Sequence, residues 1–207
     1  MTTTAPGASP APGASPPRAW TDAEVPALDG LVCNAGVTIV SSDLHRRGRV
    51  ELLDDPLFEH RPYDRWQAYA QSKLANLLFV LELNRRVRAA GSSIVVTGAH
   101  PGYAATALQA RGPEARGARL ERWVFALSNA LIAQSAAAGA WPILRAATDP
   151  DATGGEYYGP GRMRGMRGPA IQAEPSAAAR DAAAARRFWA WSEQVTGVRY
   201  DALTGAA

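Results

Sequence analysis

Residues 65–100 read RWQAYAQSKLANLLFVLELNRRVRAAGSSIVVTGAH, and this stretch decides the fold. From Arg65 to Ala90 no Gly or Pro interrupts, and Leu74, Leu77, Leu78, Leu81 and Val87 recur on a helical period. Gly91 supplies the stop. Ser92 to His100 is apolar and β-branched, which predicts a strand, and Pro101-Gly102 ends it. A long helix running straight into a strand is the second half of a parallel βαβ unit.

Upstream, Leu28–Gly36 (LDGLVCNAG) reads as a buried strand with its exit turn, and Val37–Ser42 (VTIVSS) as another strand. A polar, arginine-rich loop follows, with turn signals at Asp55-Pro56 and Arg61-Pro62. Downstream, residues 111–117 are broken by Gly and Pro. Leu120–Leu131 and Gln134–Thr148 read as helices, the second interrupted by Pro142. Residues 153–169 (TGGEYYGPGRMRGMRGP) read as a Gly-rich loop with a short strand at Glu156–Tyr158. Ser176–Val195 is a final Ala-rich helix carrying Phe188, Trp189 and Trp191. Strands alternating with helices predict an α/β layer fold with a parallel sheet. Residues 1–18 contain APGASP twice and are expected to be an extended tail outside the fold, leaving 19–207 as one domain.

The length of 207 residues and 47% hydrophobic content suit one domain with a sizeable core. A net charge of +3 reads as ordinary surface charge, and no nucleic-acid motif accompanies it. Cys33 is the single cysteine, which excludes an internal disulfide and a cysteine-rich zinc site. His45, His60 and His100 lack metal-ligand spacing, so no metal is expected. The opening residues carry neither basic cluster nor apolar run, and no stretch approaches the ~20 apolar residues of a membrane span. A cytoplasmic protein is expected.

Tyr69 and Lys73 stand four apart, which puts them on one helix face. An ammonium beside a phenol favours the phenolate, and a phenol so tuned can exchange a proton during carbonyl–alcohol chemistry. Lys73 is the only lysine in a chain that otherwise uses arginine, so its compact ammonium is a feature to be explained. The surrounding order adds weight: Asn34-Ala35-Gly36, then Ser41-Ser42 ending a strand, then Tyr69-x-x-x-Lys73, then Pro101-Gly102-x-x-x-Thr106.

In that order, with HRRGRV before AYAQSKLANLLFVLEL and HPGYAATALQ after it, the chain resembles the short-chain dehydrogenase/reductase family. The run is similar to the retinol-dehydrogenase-like branch, which includes protochlorophyllide-reductase-like proteins, and ATDPDATGGEYYGP and WAWSEQVTGV fit it as well. The resemblance implies a Rossmann-like, doubly wound parallel sheet and an NAD(P)-dependent oxidoreductase acting on a small carbonyl or alcohol, with the choice between NAD and NADP open. It implies Tyr69 as acid/base, Lys73 as the group that lowers the tyrosine's pKa and holds the nicotinamide ribose, and Ser42 as the hydroxyl that orients the substrate carbonyl. Asn34, Ala35 and Gly36 would lie near the cofactor, and Pro101, Gly102 and Thr106 beside its nicotinamide end. The helix over 65–90 matches one used for dimer contacts, so a homo-oligomer or pairing with an intact relative is implied.

Two parts of the family pattern are absent from the sequence. The opening Gly-rich βαβ unit, whose turn brings backbone N–H groups to a pyrophosphate, is replaced by the proline-rich tail. The crossover helix between the Asn-Ala-Gly strand and the Ser-Ser strand is missing as well, since Val37 follows Gly36 directly. Parallel neighbours need a dozen or more connecting residues, so the two pieces must merge, kink at Gly36 or pair otherwise. The expected architecture is therefore an incomplete Rossmann-like sheet of about four strands. The alternative function is a catalytically inactive remnant that serves as a protein-binding or structural partner. Two imitations of a phosphate turn are set aside. In Thr97–Ala104, Pro101 removes an N–H donor. Gly159-Pro160-Gly161 with Arg162, Arg164 and Arg167 lacks a strand–helix context and reads as a basic loop.

Overall fold

In a computed structural model, residues 36–103 and 134–203 are described. Strands β1 (Gly36–Val40), β2 (Val95–Ala99), β3 (Tyr157–Arg162) and β4 (Arg167–Gln172) lie side by side in sequence order. β1, β2 and β3 are parallel, and β4 returns antiparallel to β3. The expected crossover is α1 (Arg65–Ala89), which connects β1 to β2. The β1–β2 register runs from Gly36 opposite Val95 to Val40 opposite Ala99.

Each helix begins where a short polar side chain satisfies an otherwise orphaned N–H. Asp64 accepts from Gln67 at 2.7 Å to start α1. Ser135 accepts from Ala138 to start α2 (Ala136–Thr148), and Asp181 accepts from Ala183 and Ala184 to start α3 (Ala182–Thr196). Pro142 does not end its helix; α2 runs through it with Pro142 buried.

The sheet is covered on both faces. Val96 of β2 packs with Val80, Leu83 and Val87 of α1 and Trp189 of α3. Its neighbours Thr97 and Ala99 point the other way: Thr97 Oγ1 donates to the Ala146 carbonyl of α2 at 3.1 Å, and Ala99 packs with Ala146 and Tyr158. This alternation makes a doubly wound α/β layer. The core is centred on α1, whose Leu74, Leu77 and Leu78 are buried with Leu53, Tyr157, Ala184 and Ala185. Burial of each such leucine contributes about 1.5–3 kcal/mol. No helix among the described residues is long and apolar enough to cross a membrane.

Two sequence expectations need correction. The Gly-rich segment 153–169 is not a loop with one short strand: β3 extends to Arg162 and a second strand, β4, completes a hairpin. The loop over 42–64 is partly ordered into 3-10 turns at Asp43–Arg47 and Val50–Asp54. The expected strand before Gly36 and the helix Leu120–Leu131 lie outside the described residues, as does the tail over 1–18.

Candidate active site

Ligands of parallel α/β sheets bind beyond the carboxyl ends of the strands. At that edge β1 delivers Ser41-Ser42 and β2 delivers His100-Pro101-Gly102. Because α1 runs back against the strands, its first turns, with Tyr69 and Lys73, return to the same edge. Two bonds pin it there: Ser41 Oγ donates to the Lys73 carbonyl at 2.8 Å, and Asn76 Nδ2 donates to the Val40 carbonyl at 2.9 Å. Lys73 Nζ sits 5.4 Å from the centre of the Tyr69 ring, a cation–π contact. Both side chains are half-buried, and Lys73 has no carboxylate partner among the described residues.

The adjacent serines differ. Ser41 is buried and donates its hydroxyl proton to the Lys73 backbone carbonyl. Ser42 is half-buried; its Oγ accepts the Leu44 N–H at 3.3 Å, capping the following 3-10 turn, and its own proton is left to donate.

Beneath this edge lies a buried polar cluster that spacing could not reveal. His45 and His100 both pack on Tyr157, at 5.5 Å edge-on and 5.3 Å stacked respectively. His45 Nδ1 faces the Ser42 carbonyl at 2.7 Å and Nε2 receives the Ser176 N–H at 3.1 Å, which selects the neutral tautomer protonated at Nδ1. Burial lowers the pKa of His45 and pushes His100 down to about 4. Burial likewise raises the Tyr157 phenol, and Ser41 beside its hydroxyl opposes that shift. His45, His100 and Tyr157 are far apart in sequence, and the one sequence signal was each histidine's position just beyond a strand.

The remaining candidates divide. Pro101 and Gly102 lie at the site's edge. Gly102 has φ +68°, and a Cβ there would stand 2.5 Å from the Met166 carbonyl, so its missing side chain admits the β3–β4 hairpin. Gly36 opens β1 at the opposite edge of the sheet, about 13 Å from the strand's exit at ~3.3 Å per residue. The structure therefore does not bring Gly36 to Lys73. Asn34, Ala35 and Thr106 lie outside the described residues. No cluster of potential metal ligands occurs among the described residues.

The chain matches no family model. It is 34% identical over 167 residues to the polyprenol dehydrogenase of Mus musculus, covering 78% of this chain and 44% of that protein. It is 33% identical to human retinol dehydrogenase 13, covering 83% and 49% respectively. A crystal structure of an uncharacterized protein from Mycobacterium paratuberculosis superposes with a TM-score of 0.60 at 36% identity, over 80% of this chain and 51% of that one. By sequence and fold this is a Rossmann-like α/β chain, and it belongs to the short-chain dehydrogenase/reductase family. It spans about half the length of the curated relatives it matches.

Proposed function

We propose that the chain is an NAD(P)-linked oxidoreductase that interconverts a carbonyl and an alcohol, with Tyr69 as the proton-transferring group. The observation that carries this reading is the placement of Lys73: the chain's one lysine ammonium lies over the Tyr69 ring, with no carboxylate partner among the described residues, at the carboxyl edge of a parallel sheet. Tyr69 gives its proton to the oxygen of a carbonyl being reduced and takes it back in the reverse direction. The Lys73 ammonium, 5.4 Å from the ring centre, supplies a positive charge beside it. Ser42 donates its free hydroxyl proton to the same oxygen and holds it toward Tyr69.

The donor set fits the nicotinamide-ribose end of the cofactor, because among the described residues no acidic partner consumes the ammonium protons of Lys73. A bound nicotinamide supplies or accepts the hydride. Pro101 and Gly102, at the carboxyl edge of the sheet, would flank it, and Asn34, Ala35, Gly36 and Thr106 stay with the family expectation. The relatives' names make polyprenol and retinol the first alcohols to try.

Calorimetric titration with NADPH and NADH, followed by turnover of the Tyr69→Phe variant, tests the proposal. Cofactor binding with loss of turnover in the variant is expected. Equal rates in variant and parent would sink the mechanism. A second reading, a chain without turnover that pairs with an intact relative, draws on the edge position of β1. Its outer side has no partner strand among the described residues, and Val37 and Val40 are exposed. Co-elution with a full-length homologue and no cofactor heat would favour it.

A further inference from the structure

The β3–β4 hairpin overhangs the carboxyl edge of the sheet. β2 pairs with β3 only as far as Ala99 opposite Tyr158, yet β3 continues to Arg162. The projecting tip reads Arg162-Met-Arg-Gly-Met-Arg167 and contains no acidic residue. The tip thus carries three positive charges within six residues and no acidic residue to balance them. Among the described residues none of the three pairs with a carboxylate. Arg162 and Arg167 are register partners across the hairpin, a like-charge juxtaposition that weakens the hairpin on its own. Between them Met163 and Met166 are 48% and 37% exposed.

The tip is nonetheless held firmly. The Tyr103 N–H donates to the Met166 carbonyl at 2.7 Å. The Gly168 N–H donates to Gln134 Oε1, and Gln134 Nε2 donates to the Pro101 carbonyl at 2.7 Å. Met163 and Arg164 adopt left-handed backbone angles, φ 51° and 56°, that non-glycine residues rarely hold. A repulsive, partly strained and exposed tip that is clamped to the body calls for an external anion.

We propose that this tip docks on an anionic lipid surface. Arginine guanidinium groups bind lipid phosphates while their stems run along apolar material. Met163 and Met166, flexible and apolar, enter the headgroup–acyl boundary between them. A free phosphate or a nucleic acid would satisfy the charge but leave the thioethers in water, and a lipid interface accommodates both. Docking brings the exit of β2, to which the tip is fastened, against the membrane surface.

Co-sedimentation of the full chain with vesicles of phosphatidylcholine, with and without phosphatidylglycerol, tests this. Binding is expected only to the anionic vesicles and should fall with salt. Each arginine is worth about five-fold, so the R162Q/R164Q/R167Q variant should lose about a hundred-fold. The M163S/M166S variant, with its charge unchanged, should also bind more weakly. All substituted side chains are exposed, and circular dichroism checks that the fold is kept. Equal binding to neutral and anionic vesicles, full binding by the arginine variant, or an unaffected methionine variant would overturn the proposal. So would binding to inorganic phosphate or RNA without binding to vesicles.

Discussion

At the residue scale, Ser41 and Ser42 divide two tasks that a single serine could not perform together. The Ser41 proton is committed to the Lys73 carbonyl inside the fold, so Ser41→Ala should cost about 1 kcal/mol of stability in urea melts. Ser42 accepts one weak cap bond and retains its proton, so Ser42→Ala should leave the melt nearly unchanged and lower kcat about a hundred-fold. The opposite pattern would assign substrate orientation to the wrong serine. Gly159 gives a second test at this scale. A Cβ built there would stand 2.0 Å from His100 Nε2, and His100 is held in place by its stack on Tyr157. Gly159→Ala should destabilise by about 1–3 kcal/mol, the usual cost of overpacking. Combining it with His100→Ala should restore part of that loss, because the two changes share one contact.

At the element scale, α1 unites fold and site. Its carboxylate Glu82 is buried against Arg85 and Arg86, and Arg86 in turn covers the Trp189 ring at 4.5 Å. Burial alone would raise the Glu82 pKa, but hydrogen bonds from both arginines outweigh it and hold the carboxyl low. Glu82→Gln removes charge-assisted bonds on a surface that locks α1 to α3, and should lower stability by about 1–3 kcal/mol, read as a shift in urea midpoint. Elements whose own composition carries their period were legible in the sequence. Arg65–Ala90 was read as helix and is helix from Arg65 to Ala89, and β2 falls inside the predicted Ser92–His100. β4 was not legible. Its residues RGPAIQ show no apolar alternation, and they are a strand because β3 offers a ladder on one side and α2 lies close by, where Arg145 donates to the Ala170 carbonyl. The same contrast holds at the candidate site: Ser42, Tyr69 and Lys73 were singled out by motif, whereas His45, His100 and Tyr157 meet through packing of segments more than fifty residues apart.

At the scale of the whole molecule, that buried cluster sets how the fold responds to acid. His100 is 2% exposed, and its Nδ1 receives the Gly102 N–H at 3.3 Å, a bond that only the neutral ring can accept. Its surroundings are mixed: Asp43 favours the charged form, whereas burial, His45 and Arg46 oppose it, and the result is a pKa pushed down to about 4. In the unfolded chain a histidine titrates near ~6.5. As pH falls below that value the unfolded state takes up a proton that the folded state refuses, so stability declines. The loss continues until the folded pKa near 4 is reached and is on the order of 3 kcal/mol for His100 alone. His45, lowered for the same reason, adds to the slope in the same window. Below it, protonation of Glu82 continues the decline, since its carboxyl is held low in the folded state. Urea melts should therefore give a free energy that is flat above neutrality and falls steadily from about pH 6.5 toward pH 4. The His100→Asn variant, whose side-chain oxygen can still accept from Gly102, should flatten that slope while preserving the turn. An unchanged slope in the variant would place the acid sensitivity in other groups.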